Sequence, residues 1–384
     1  MKIGKLFLAG VITLGLGLTA CNNDTPEVQQ EKGGILTVSV TPISEPGAGT
    51  RIAGNINDAA LATAESVVKG YEVWIFNTNG NLEKYQAFAN SDPGQILGLT
   101  VGEKEVVVVA NGNLGTQPTK AALLAKTNTL SQNIDGGMLM TAEPATITLT
   151  KCSADYSDCN KLNAQVKRVN ARVAVVGVST SFAAEAPYKR FELAEVAMFN
   201  VRQTSNIFGT PSLLSATSKF LFGSAYPSPE NSYVAATEGI EDATLLEKLD
   251  PVLNVTGTPL DAANSKYFYV HENNATAKKE TFVVLKGKLY DAAEDGNVYL
   301  LPGVHTDSEG FTYYKVYVNK TMVGYTYTGD EVAHDGTVIR NTQYNITIDL
   351  TKAGNPTIDE PAEACLKVTV SVVPWVVVNQ NVSW

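Results

Sequence analysis

Reactive side chains are few in this chain of 384 residues, and the first to meet is Cys21. It closes the stretch Leu18-Thr19-Ala20-Cys21, which follows two lysines, Lys2 and Lys5, and an apolar run from Leu6 to Ala20. That order is a bacterial lipobox: small residues fit the signal peptidase, and the thiol takes a diacylglycerol before cleavage. The apolar run is too short for a stable membrane span. Residues 1–21 therefore read as a removable signal, and the lipid on Cys21 as a tie to a membrane surface. The second feature is Arg51, the basic residue ending Pro42-Ile-Ser-Glu-Pro-Gly-Ala-Gly-Thr-Arg51. Two prolines and two glycines make an exposed loop of the kind proteases cut, and the scissile bond would be Arg51–Ile52.

Cys152 and Cys159 share a polar, turn-rich loop, and in an exported protein they could close as a disulfide. Cys365 then reads as a small buried hydrophobe rather than a nucleophile. His271, His305 and His334 are scattered and belong to no zinc-binding pattern, so no metal site is expected. The sequence has no nucleophile elbow and no phosphate-binding loop. Thr306-Asp-Ser-Glu-Gly310 and Thr328-Gly-Asp-Glu331 lack the spaced ligands of a calcium loop and read as hairpin tips. Trp74 and the tyrosines read as core rather than a sugar platform. No catalytic residue and no cofactor emerge. A net charge of −10, without a basic stripe, argues against nucleic acid as a partner.

The elements that would position these features are strands. Val, Thr, Tyr and Ile clusters, punctuated by 31 Gly and 16 Pro, point to an all-β protein. Apolar content of 44% supports a core in each of two domains. Strands are expected over 35–41, 70–77, 82–89, 103–112 and 146–149, with a helical turn or two in 58–69 and a helix over 121–130. The valine run Val106–Val109 predicts burial on both faces. The loop holding Cys152 and Cys159 is the expected boundary, giving an N-terminal domain over 52–160 and a C-terminal domain over 161–384. The latter opens with one long strand, 164–178, on which Arg168 and Arg172 sit at a solvent edge or pair with acids. Further strands are expected over 191–201, 267–270, 281–289, 311–318 and 343–350. With no alternation of strand and helix, each domain reads as a sandwich.

Two stretches stand apart. Ile35 to Thr41 places Leu36, Val38 and Val40 on one face, and cleavage at Arg51 would leave it held only by its sheet. Residues 1–51 would be lost with no change in net charge, since four bases (Lys2, Lys5, Lys32, Arg51) balance four acids (Asp24, Glu27, Glu31, Glu45). A groove would open. At the other end, 366–384 alternates through Val368, Val370 and Val372, and after Pro374 carries Trp375, Val376, Val378, Val382 and Trp384. It either lies in the protein's own sheet or fills a groove in a neighbouring molecule by strand addition. On the second alternative, truncation before Val368 would leave folded monomers.

With both ends in view, the sequence resembles the FimA family of major fimbrial subunits, the fimbrillins of Bacteroidales. The likeness is carried by the lipobox at Cys21, Val107-Val-Val-Ala-Asn-Gly112, Met138-Leu-Met-Thr-Ala-Glu-Pro144 and Val166-Lys-Arg-Val-Asn-Ala-Arg172. Ser205-Asn-Ile-Phe-Gly209, Ile339-Arg-Asn-Thr-Gln-Tyr344 and above all Trp375-Val-Val-Val-Asn-Gln-Asn-Val-Ser-Trp384 extend it. The resemblance implies two tandem transthyretin-like β-sandwich domains and export as an outer-membrane lipoprotein. It further implies cleavage at Arg51–Ile52 by a trypsin-like or arginine-specific protease, then strand exchange, with 22–51 as the removed tether and strand and 366–384 as the donor. The product would be the shaft of a cell-surface fimbria. Its partners would be other copies, minor fimbrial subunits, and host or bacterial surface molecules. An anchor or tip subunit and a monomeric ligand-binding lipoprotein stand as alternatives. The Cys152/Cys159 pair matches no family hallmark.

Overall fold

A computed structural model describes residues 31–43, 59–153, 160–209, 219–231, 233, 239–261, 263–274, 278–292, 295–329, 332–359 and 365–374. The first half of the chain runs β1 (Lys32–Pro42), α1 (Ala59–Ser66), β2 (Tyr71–Asn77), β3 (Leu82–Phe88), β4 (Gly94–Thr100), β5 (Gly102–Ala110), α2 (Lys120–Leu124), β6 (Thr127–Thr129), β7 (Met140–Ala142), β8 (Ala145–Leu149) and β9 (Asn160–Arg168). Their ladder order is β3-β2-β5-β7-β9-β1-β4, with β8 pairing β5. The sheet wraps one core, to which β1 gives Leu36, β2 Val73, β4 Leu99 and β9 Val166. On its other side Trp74, Phe76, Val107 and Val109 pack with Leu123 of α2. The valine run is thus buried on both faces, as its continuity predicts.

The second half runs β10 (Asn170–Thr180), β11 (Arg190–Phe199), β12 (Val201–Arg202), β13 (Thr204–Asn206), β14 (Phe220–Phe222), β15 (Gly239–Glu241), β16 (Leu246–Asn254), β17 (Lys266–His271), β18 (Phe282–Tyr290), β19 (Phe311–Tyr317), β20 (Tyr325–Gly329), β21 (Thr342–Leu350) and β22 (Leu366–Pro374). Two sheets, β17-β10-β21-β22-β20 and β16-β11-β18-β19, supply the inner faces of one core. Val173, Ile346 and Val370 come from the first sheet, and Val196, Leu285 and Val316 from the second. A separate aromatic layer, with Phe199, Phe222, Tyr226 and Phe282, involves the second sheet.

The expectations for two stretches are corrected. The stretch 164–178 is not one strand: β9 closes the first sheet and β10 opens the second, so the change of sheet falls at Val169 and not in the 152–159 loop. Leu162 and Val166 face the first core while Val173 and Val175 face the second, a switch that alternation alone cannot show. The helix expected over 121–130 is only α2, five residues capped by Thr119, because Thr127–Thr129 leaves to form β6. β4, which is rich in glycine, carries too weak a pattern to predict. Several neighbouring strands are parallel, namely β1 with β9, β10 with β21, and β20 with β22.

Candidate functional site

The seat of β1 is built from both sides. It runs parallel to β9 from Leu36↔Asn160 to Pro42↔Val166, and antiparallel to β4 from Lys32↔Thr100 to Val38↔Gly94. Leu36 and Val38 are fully buried, with Ile35 and Val40 nearly so. Side chains add to the ladder. Asn160 Nδ2 donates to the Ile35 carbonyl at 2.9 Å, and Thr41 Oγ1 donates to Asn163 Oδ1 at 3.2 Å. The Tyr71 hydroxyl lies 3.1 Å from the Val38 carbonyl, and burial pushes its pKa up to about 12. Beyond β1, Val106, Val108, Ala142, Leu162 and Ala164 line an open apolar pocket of about 280 Å³, rimmed by Glu143 and Lys167. The structure therefore brings Leu36, Val38 and Val40 together on the core face, as their spacing predicts.

The same spacing left the last strand open, and the structure chooses. β22 lies inside its own sheet, antiparallel to β21 from Leu350↔Leu366 to Thr342↔Pro374 and parallel to β20 from Tyr325↔Val368 to Gly329↔Val372. Val368, Val370 and Val372 are at most 1% exposed. Gly329 shows how close the neighbours lie: its φ is +100°, and a Cβ there would meet the Val372 carbonyl at 2.0 Å. Truncation before Val368 would accordingly remove an inner strand of the second core. The expectation that it leaves folded monomers is corrected. Cys21, Arg51, Ile52, Cys159, Trp375, Val376, Val378, Val382 and Trp384 lie outside the described residues. Cys152 is a free thiol whose Sγ approaches the Ile35 carbonyl at 3.6 Å. Cys365 is also a free thiol, raised by burial.

The junction between the two halves escaped the sequence reading. Glu65 on α1 is buried and takes Arg172 Nη1 of β10 on both carboxylate oxygens, at 2.6 and 2.7 Å, and the Tyr269 hydroxyl of β17 at 2.9 Å. Burial, with the Glu65 carboxylate next, raises the Tyr269 phenol. Arg168 donates Nε to the Glu65 carbonyl, Nη2 to Ser66 Oγ and Nη1 to Asn341 Oδ1. Arg172 thus pairs with an acid, but neither arginine sits at a solvent edge. A two-stranded ladder, β6 with β13, crosses the junction. Gln132 brackets the Tyr269 backbone, donating to its carbonyl at 2.7 Å and accepting from its N–H at 2.8 Å. Arg340 closes on Glu272 and on the carbonyls of Asn206 and Ile207. Signals existed only in hindsight: charged residues inside an otherwise apolar strand.

His271 ends β17 at this junction, fully buried, with Nδ1 at 3.2 Å from the Arg202 carbonyl and Nε2 at 3.3 Å from Asn128 Nδ2. Those partners assign a neutral ring with the proton on Nδ1. Burial, with Arg340 and Arg202 nearby, pushes its pKa down to about 3. The folded value lies below the unfolded 6.5, so stability is complete above 6.5 and is lost as pH falls from there toward 3. The slope is at most about 1.4 kcal/mol per pH unit. Melting temperatures measured from pH 7 to 4 are expected to decline, and less steeply in His271→Asn. Parallel curves for the two proteins would remove His271 as the cause.

Among the described residues no group of three or more His, Cys, Asp or Glu side chains could hold a metal ion. The chain thus consists of two tandem all-β modules, one with an interior strand contributed by residues 32–42, joined by a polar seam. The C-terminal domain of the FimA4 pilin matches residues 170–375, and the major fimbrial subunit protein (FimA) matches residues 36–177. The first match begins at residue 170, where β10 opens the second sheet, and the second overlaps it as far as residue 177. The chain belongs to the FimA family of major fimbrial subunits. It is 29% identical to the major fimbrium subunit FimA type-4 of Porphyromonas gingivalis over 420 residues, all of both chains. A type-2 subunit of the same organism is 27% identical, again over all of both. A fimbrilin from P. gingivalis W83 shares the fold at a TM-score of 0.68, with 24% identity over 91% of this chain and 99% of that one. A putative cell adhesion protein from Parabacteroides distasonis does so at 0.62, with 17% identity over 90% and 99%. The protein is a subunit of a cell-surface fimbria and not an enzyme.

Proposed function

We propose that this chain forms the fimbrial shaft, exported as a lipoprotein through Cys21, cut at Arg51–Ile52, and polymerised when a neighbour's strand replaces β1. The carrying observation is the place of β1: a strand inside the sheet, with β9 on one side and β4 on the other, followed in sequence by the loop that ends at Arg51. Its departure would expose two strand edges and an apolar slot, which is the receptor that strand addition needs. The pocket beside Leu162 and Ala164 extends that apolar surface. On the donor side, Val368, Val370 and Val372 can be given away only by breaking β22 out of two ladders. The donor role is assigned to Trp375–Trp384, the alternating apolar stretch that directly follows β22 in sequence. Copies of the chain are the main partners, with minor subunits at the ends of the shaft and host or bacterial surfaces along it, in keeping with adhesion.

Limited trypsin digestion of the purified precursor tests the reading. A new N-terminus at Ile52, followed by heat-sensitive ladders in detergent gels, is the expected result. Truncation after Pro374 is expected to leave folded protein that is cut at Ile52 yet builds no ladder. A wild-type chain that is cut there, loses residues 32–42 and stays monomeric would refute strand exchange and favour a monomeric surface lipoprotein.

A further inference from the structure

Lys104 is a buried cation that the fimbrial role does not use. It lies on β5 directly opposite Asn77 of β2, with a side chain 0% exposed. Its Nζ is 2.8 Å from Asn77 Oδ1, 2.7 Å from Thr100 Oγ1 and 2.8 Å from Glu83 Oε2. Glu83 is positioned independently of the lysine, because its Oε1 accepts from Thr100 N at 2.6 Å and Thr100 Oγ1 at 2.9 Å. An amine, a carboxamide and a carboxylate are thus fixed by three adjacent strands, β5, β2 and β3, where the amine meets no solvent. We infer that Lys104 and Asn77 form an intramolecular isopeptide bond, with Glu83 as the proton carrier. This inference does not depend on strand exchange.

The chemistry needs no added reagent. Glu83 takes a proton from the Lys104 ammonium, and the freed Nζ lone pair attacks Asn77 Cγ to form the Nζ–Cγ bond. The Cγ–Nδ2 bond then breaks. Of the three ammonium protons, one stays on the new amide nitrogen. Two pass to the departing nitrogen, at least one by way of Glu83, and it leaves as ammonium while Glu83 returns to carboxylate. Three conditions favour the step. Effective concentration is high, since nucleophile and carbonyl are held in contact. Water, the competing nucleophile, is excluded from Lys104. The leaving nitrogen also escapes into solvent as ammonium, and its dilution there disfavours the reverse step. Burial alone would raise the Glu83 carboxyl, but the Lys104 and Thr100 donors outweigh it and hold it low. It therefore enters the step as the base.

Mass spectrometry of the purified wild-type protein decides. The intact chain is expected to be lighter than its sequence by one ammonia, and digestion is expected to yield a branched peptide joining the segments around Asn77 and Lys104. Glu83→Gln, with an unchanged circular dichroism spectrum, is expected to show the full sequence mass and no branch. A wild-type protein at full sequence mass overturns the inference, as does loss of ammonia without the branched peptide, the signature of a succinimide at Asn77. A Glu83→Gln protein that still carries the branch overturns the role given to Glu83.

Discussion

Protein from which residues 1–51 have been removed is expected to melt far below the intact chain, and to regain most of the loss when a peptide spanning residues 375–384 is added. β1 buries Ile35, Leu36, Val38 and Val40. At about 1.5–3 kcal/mol for each large aliphatic side chain, that is on the order of 10 kcal/mol gross, before the entropy of ordering the strand is subtracted. The ladder to β9 and β4 adds backbone hydrogen bonds whose partners would otherwise become exposed strand edges. Proteolysis alone is expected to change little at first, because a nicked strand keeps its ladder and its side-chain contacts. Only displacement exposes the slot. Calorimetry on intact, nicked and strand-free protein separates these states, and Val38→Asp in the intact chain should resemble the strand-free form. If the strand-free protein melted with the intact one and ignored the peptide, the slot would not be the polymerisation site.

The second large effect is expected at Glu65. Glu65→Ala leaves the Arg172 guanidinium buried without its carboxylate and removes an acceptor of the Tyr269 hydroxyl, a loss of roughly 3–5 kcal/mol for a broken buried ion pair. For a module of about 200 residues that is on the order of 10 °C in melting temperature. Because α1 belongs to the first half and β10 and β17 to the second, the damage should also appear as freer motion between them. Small-angle scattering is expected to show a larger radius of gyration in Glu65→Ala while each half keeps its circular dichroism. Glu65→Leu combined with Arg172→Met should recover much of the stability, since the pair is removed together. Strictly additive losses in that double variant would show that the two residues do not interact as the structure places them.

Most strands were legible locally. Alternation along 35–41 marks a half-buried strand because successive side chains in an extended chain point to opposite faces. The valine run 106–109 marks a doubly covered one by the same rule. Gly, Pro and Asn clusters mark turns, as at Asn77–Asn81 between β2 and β3. Such signals depend on neighbours in sequence and survive without a tertiary structure. Where the local pattern is weak, as in the glycine-rich β4, the reading thinned accordingly.

What the fold alone decided are the partners that alternation cannot name. The period of Leu366 to Val372 is equally consistent with a strand at home and a strand given away, and only the ladders to β21 and β20 show it at home. The continuous β pattern through 164–178 hides a change of sheet at Val169, since each half faces a different core. Glu65 and Arg172 are 107 positions apart, and neither carries a mark that it needs the other. A side chain's direction follows from its own backbone, whereas its contact follows from which distant strand the chain packs beside it. The first is written in consecutive residues and the second arises only when the sheets assemble.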